Sequence, residues 1–245
     1  MHFDTRTLGF LQRIYVPRLR RLVAWVRQRT ISVELRSTVE LVYASGLFDA
    51  DFYARQYPDT AGIGKGPLDH YLRFGLWEDR DPGPLFSCAH YRAQSSHTTQ
   101  MPAVLHFVLD GDAAGRSPNW LFDTMWYRDR HMRGEEQQRN ALFHYLEHHR
   151  KRQVWTHPLF DSHWFAARHA QEIPRRTSPL AFYLGSEGAS RLMPNPLFDP
   201  EWYVQCYAIE SDQPLRHYIE YGDHQGLAPH PLLCGRRLSI LAPDR

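Results

Sequence analysis

Residues 197–203 read Leu197-Phe198-Asp199-Pro200-Glu201-Trp202-Tyr203, and the chain repeats this phrase. Its Phe recurs at Phe48, Phe86, Phe122, Phe160 and Phe198, at spacings of 38, 36, 38 and 38 residues. The next residue is Asp49, Ser87, Asp123, Asp161 or Asp199. Four positions after each Phe come Phe52, His90, Trp126, Trp164 and Trp202, followed by Tyr53, Tyr91, Tyr127, Phe165 and Tyr203. Self-similarity at a fixed period marks a repeat architecture. An Asp or Ser here suits a helix N-cap, where its oxygen accepts from a free backbone N–H of the first turn. The preceding Phe can then fold back onto the helix as a hydrophobic staple. Pro200 falls at the first helical position, where a missing N–H does no harm.

A second phrase follows within each period. It centres on His70, His106, His144, Phe182 and His217, each followed by Tyr71, Phe107, Tyr145, Tyr183 or Tyr218. Two residues earlier stand Leu68, Val104, Leu142, Leu180 and Leu215. Apolar residues at relative positions 0, 3 and 4 form one helix face. Pro67, Pro179 and Pro214 open this second helix, and Gly75, Gly111 and Gly222 are expected to close it in a left-handed cap. The spacing predicts helices near 49–57 and 67–74, 87–94 and 102–110, 123–131 and 140–148, 161–170 and 179–185, and 199–207 and 214–221. Helices this short cannot bury their apolar faces alone. The expected fold is therefore all-α, with five helix–loop–helix repeats of about 36–38 residues stacked into a compact array. The repeats fall at 46–84, 85–119, 120–158, 159–196 and 197–230. A helical segment over 1–45 would cap the array, and Pro231-Leu232-Leu233-Cys234 starts an aborted sixth repeat or tail over 231–245.

Composition narrows the function. Of 245 residues 42% are apolar and 23% charged, enough for a core and unlike a disordered chain. No apolar run reaches membrane-span length. No secretory signal pattern is recognisable at the start. Cys88, Cys206 and Cys234 lie far apart with no CxxC, which argues against a disulfide scaffold or a thiolate zinc site. Cys88 and Cys206 are expected in the core. A net charge of +2 is too small for a nucleic-acid binder. The charge is uneven, because Thr5 to Val33 holds seven arginines and no Asp or Glu. There Leu19, Leu22, Val23 and Val26 form a stripe beside Arg18, Arg20, Arg21, Trp25 and Arg27. Residues 6–29 read either as a capping helix with solvated arginines or as a contact with an anionic membrane surface or a partner.

Each chemical constellation has a structural alternative. His144 and His148 stand one helical turn apart, a spacing that can bring two imidazoles to one metal, but His144 is the repeat histidine and packing explains its recurrence. Asp110-Gly111-Asp112 looks like a metal-holding DxD pair, yet Gly111 matches Gly75 and Gly222 in the repeat. Gly62-Ile63-Gly64-Lys65-Gly66 lacks the spacing of a phosphate loop. Gly185-Ser186-Glu187-Gly188 lacks that of a nucleophile elbow. Trp126, Trp164 and Trp202 could stack on sugar rings or bases, but their periodicity places them between repeats as core. The reading assigns no catalytic, cofactor or metal residue.

The two phrases together, LFD-x-x-W-Y and P-L-x-H-Y-L-x-x-G-x-x-x-G-R-x-P, resemble a short tandem module of bacterial surface-polysaccharide synthesis proteins. That module commonly precedes a glycosyltransferase domain, including those of the rhamnan-synthesis type. Leu47-Phe48-Asp49 with Pro67-Leu68-Asp69-His70-Tyr71-Leu72-Arg73-Phe74-Gly75 carries the resemblance, as does Leu197-Phe198-Asp199 with Pro214-Leu215-Arg216-His217-Tyr218 and Gly222. It extends over about residues 46–233. His149 and Glu187 depart from it at the glycine position, and no alternating strand–helix pattern of a nucleotide-binding domain follows. The repeat, the absence of a catalytic constellation and the resemblance together lead to the expectation of a non-catalytic scaffold in the bacterial cytoplasm that docks a glycosyltransferase or another polysaccharide-assembly component. The Arg-rich start would supply peripheral contact with the inner membrane. A glycosyltransferase, or a piece of one, and a carbohydrate-binding module are the alternatives.

Overall fold

The structure, a computed structural model, describes residues 40, 42–60, 66–94, 101–150, 154–175 and 177–234. Among these the chain is all-α, and its only strand-like pairings are isolated bridges at Gly83–Phe86, Asn119–Phe122 and His157–Phe160. Two compact units emerge. One holds the chain as far as Pro118 together with Leu142–Glu147, and the other holds Asn119–Ala141 and the chain from His148 onward. The arginine-rich segment with Arg18, Arg20, Arg21, Trp25 and Arg27, the loop at Gly62–Lys65 and the tail beyond Cys234 lie outside the described residues.

The first unit carries α1 (Ala50–Gln56), α2 (Pro67–His70), α3 (Cys88–Ala93) and α4 (Ala103–His106). The second carries α5 (Thr124–His131), α7 (Ser162–Arg168), α8 (Pro179–Gly185), α9 (Pro200–Tyr207) and α10 (Pro214–His217). Helix α6 (Ala141–His148) contributes Leu142–Glu147 to the first unit.

The first helix of each segment starts for the reason the sequence suggests. The Asp49, Asp123 and Asp199 carboxylates accept from the N–H of Phe52, Trp126 and Trp202 at 2.9, 3.0 and 3.0 Å. Asp161 accepts from both His163 and Trp164, and Ser87 Oγ takes the longer bond from His90 at 3.4 Å. The Phe before each cap meets the aromatic ring at the fourth helical position, the geometry of a hydrophobic staple. Ring centroids are 5.6 Å apart for Phe48–Tyr53, 5.5 Å for Phe86–Tyr91, 5.0 Å for Phe122–Tyr127, 5.3 Å for Phe160–Phe165 and 5.4 Å for Phe198–Tyr203.

In four segments a ring from the second helix completes a triad. Tyr71, Phe107, Tyr183 and Tyr218 meet Tyr53, Tyr91, Phe165 and Tyr203 edge-on, at interplanar angles of 78°, 85°, 88° and 88°. Edge-to-face pairs of this kind each add about 0.5–1.5 kcal/mol beyond simple burial. The ring after each tryptophan position is therefore the core residue: Tyr53, Tyr127, Phe165 and Tyr203 are fully buried. Trp126, Trp164 and Trp202 are only half-buried, which corrects their expected place as core between repeats. An indole at the third helical position points one position away from the face that the staple covers. Cys88 is buried as expected, but Cys206 is exposed on the outer face of α9.

The glycines act differently from expectation. Gly75, Gly111 and Gly222 have ordinary helical φ, so they are not left-handed caps. They end π-helical turns at Tyr71–Gly75, Phe107–Gly111 and Tyr218–Gly222, where the bonding shifts to five residues. Leu76, Asp112 and Asp223 donate N–H to the carbonyls of Tyr71, Phe107 and Tyr218 at 2.7, 2.9 and 2.9 Å. The left-handed residue comes four positions later, at Gly115 (φ 77°), Gly226 (φ 69°) and, unusually, Asp79 (φ 52°). Helices α6 and α8, with His149 and Glu187 in place of the glycine, have no π turn.

Candidate functional site

The recurring polar residues first explain the fold. Tyr53 Oη hydrogen-bonds His70 Nδ1 at 3.1 Å, and the same pair recurs as Tyr91–His106 at 2.5 Å and Tyr203–His217 at 2.9 Å. Burial pushes the Tyr53 phenol up to about 12 and raises that of Tyr91. Burial, and then the Arg116 charge, lowers the His106 pKa. In the fourth segment both members change together: Phe165 faces Phe182, with centroids 6.3 Å apart and no polar group on either ring. A buried hydroxyl without its imidazole would be unsatisfied, so the two positions change as a pair.

Three further recurring bonds were missed by the reading of the sequence. Eight residues after the N-cap, Tyr57 Oη and Tyr207 Oη accept the N–H of Asp81 and Ala228 at 2.9 and 2.8 Å, and His131 Nε2 accepts that of Trp155 at 3.1 Å. The alignment could have revealed this, because Tyr57, His131, His169 and Tyr207 are in register. At the turn before four of the five Leu-Phe pairs and before Leu232-Leu233, a side chain accepts from the backbone two residues on: Ser45, Asn119, His157, Asn195 and His230 take the N–H of Leu47, Leu121, Leu159, Leu197 and Leu232. Finally, the N-cap backbone closes the segment. Asp49, Ser87, Asp123 and Asp199 donate N–H to the carbonyls of Pro82, Pro118, Thr156 and Pro229 at 2.9, 2.9, 2.9 and 3.0 Å.

Of the constellations weighed for chemistry, the DxD pair and the Ser186 turn come apart, whereas the ligand atoms of His144 and His148 lie within 4.8 Å of each other. Asp110 is exposed while Asp112 is 3% exposed, so the DxD pair does not present two carboxylates to one ion. His144 and His148 lie on one side of α6, with His144 fully buried. Ser186 follows the end of α8 in extended backbone rather than on a strained elbow.

One pocket in the second unit is built from side chains that the recurring bonds do not fully use. It is an open pocket of about 610 Å³ lined by Trp126, Asp129, Arg130, His131, Arg133 and Trp155. Helix α5 supplies most of the wall. Trp126 and Arg130 are one turn apart, and the Arg130 guanidinium carbon lies 5.4 Å from the Trp126 ring centroid and 5.1 Å from that of Trp155. His131 Nε2 holds the Trp155 backbone and its ring meets Trp126 edge-on at 6.0 Å. Burial, followed by the Arg130 charge, lowers the His131 pKa, and a ring that accepts the Trp155 N–H at Nε2 is neutral with its proton on Nδ1. Arg133 turns back to the main chain, donating to the Asp129 and Met132 carbonyls. Of these residues the reading of the sequence singled out Trp126 alone, because Trp155 lies outside both recurring phrases. Comparison of the chain with protein-family models, with characterised proteins and with solved structures finds no match.

Proposed function

We propose that this protein is a non-catalytic helical-repeat scaffold that serves bacterial surface-polysaccharide synthesis by docking a glycosyltransferase or another assembly component. The observation that carries the non-catalytic part is where the recurring polar side chains are used. N-cap carboxylates, Tyr–His pairs and the aromatic acceptors eight residues on all hold backbone or each other. Repeat proteins of this build present extended surfaces rather than a single reaction centre. The five segments stack as successive layers in this reading, with residues 1–45 as their cap and membrane or partner contact. The link to polysaccharide synthesis, and with it a cytoplasmic site at the inner membrane, rests on the resemblance of the two sequence phrases.

Affinity purification of the tagged chain from its own cells tests the proposal. Co-purification of a glycosyltransferase or polysaccharide exporter, lost on deleting residues 1–45 or one segment, is the expected result. Divalent-metal-dependent nucleotide-sugar binding that disappears on changing Asp110 and Asp112 would instead establish an enzyme.

A further inference from the structure

We propose that the pocket of Trp126, Arg130 and Trp155 binds an acidic sugar, a pyranose ring carrying a carboxylate. The inference stands apart from the scaffold reading, since it needs only the second unit and its side chains.

Arg130 is the central observation. Its guanidinium lies over two indoles, is exposed, and has no hydrogen-bond acceptor or acidic partner among the described residues. The aromatic rings orient the cation without neutralising it. A guanidinium held this way offers a planar fork of N–H donors that matches a carboxylate in two parallel bonds. Arg133, the other cation of the pocket, is already turned to backbone carbonyls.

The remaining walls decide what bears the carboxylate. Trp126 and Trp155 are half-buried and offer flat apolar area of the kind that packs on the C–H face of a sugar ring. The exposed Asp129 carboxylate at the rim can accept from ring hydroxyls. The same carboxylate disfavours a dianion: two arginines against one aspartate leave one net positive charge, with His131 held neutral. That balance suits a singly charged carboxylate better than a phosphate. A volume of about 610 Å³ accommodates one or two sugar rings and lies within the range of small-ligand sites. An acidic peptide would use the fork and could donate N–H groups to Asp129, but it lacks the flat C–H face that the two indoles match.

The test is calorimetric titration of the full chain with galacturonate, against its neutral counterpart galactose, inorganic phosphate and a glutamate-containing peptide. Saturable binding of galacturonate is expected, with the neutral sugar, phosphate and peptide each about tenfold weaker or more. Arg130→Lys, which keeps the charge and removes the fork, should weaken the acidic sugar about tenfold. Arg130 is exposed, so this variant should keep the parent's circular dichroism. No saturable heat with galacturonate overturns the proposal. So does equal binding of the neutral sugar, of phosphate or of the peptide, or an Arg130→Lys affinity equal to the parent's. Loss of a protein partner in the pull-down leaves this titration unaffected, so the two proposals fail separately.

Discussion

A Cβ built on Gly111 falls 1.9 Å from the Tyr91 hydroxyl oxygen, and those on Gly75 and Gly222 fall 2.1 and 2.3 Å from the hydroxyls of Tyr53 and Tyr203. The glycine is there to admit a phenol, not to reverse the chain. Gly111→Ala should therefore destabilise the protein by about 1–3 kcal/mol in urea unfolding, as overpacking does. Combining it with Tyr91→Phe, which removes the clashing oxygen, should recover part of that loss; strictly additive effects would refute the contact. The sequence displayed the column of glycines but not its reason, because the partner stands twenty residues earlier on another helix. His157 offers a second test at this scale. It is buried, its Nδ1 accepts the Leu159 N–H, and burial lowers its pKa from 6.5 to about 4. Between these values the unfolded chain binds the proton and the folded chain does not. Stability is then complete above about pH 6.5 and falls as the pH drops towards 4, by on the order of 3 kcal/mol from this residue. Asn119 and Asn195 do the same work with an amide oxygen that does not titrate. His157→Asn should thus keep its stability at pH 7 and show a shallower acid slope in urea melts at pH 7 and pH 5. An unchanged slope would show that His157 is protonated equally in both states.

The elements were largely legible in advance. Asp49, Asp123, Asp161 and Asp199 mark the helix starts, and Pro67, Pro179, Pro200 and Pro214 occupy first helical positions, as local chemistry requires. The π turns were not legible, since a single shift from four- to five-residue bonding leaves the apolar pattern almost unchanged. Nor was the pocket, whose walls come from α5 and from Trp155 beyond the recurring phrases. Two element-level substitutions probe what the sequence did disclose. Phe165→Tyr puts a hydroxyl opposite Phe182 instead of a histidine, and should cost about 1–3 kcal/mol as an unsatisfied buried group. Adding Phe182→His should restore much of it, a coupling readable in a double-mutant cycle. Asp79 holds φ 52° where Gly115 and Gly226 stand elsewhere, and its carboxylate accepts from the first N–H of α4, Ala103, at 2.7 Å and from Arg92 at 2.8 Å. Asp79→Ala should therefore be worse than Asp79→Gly by about 1 kcal/mol in thermal or urea melts. Both lose the bonds, but only alanine keeps the left-handed strain.

Across the described residues the closing bonds each span a little less than one period. They join Asp49 to Pro82, Ser87 to Pro118, Asp123 to Thr156 and Asp199 to Pro229, and never reach beyond one period. The same bonds have a genetic consequence. Where the entry and exit of a segment are joined by one hydrogen bond, a copy of that segment can be inserted or excised with its two ends already adjacent. Duplication in the coding sequence then lengthens the chain by a whole period without remaking the backbone on either side. Copy number becomes a variable that recombination can change, while each copy drifts on its own, as Phe165 with Phe182 and His157 beside Asn119 and Asn195 record.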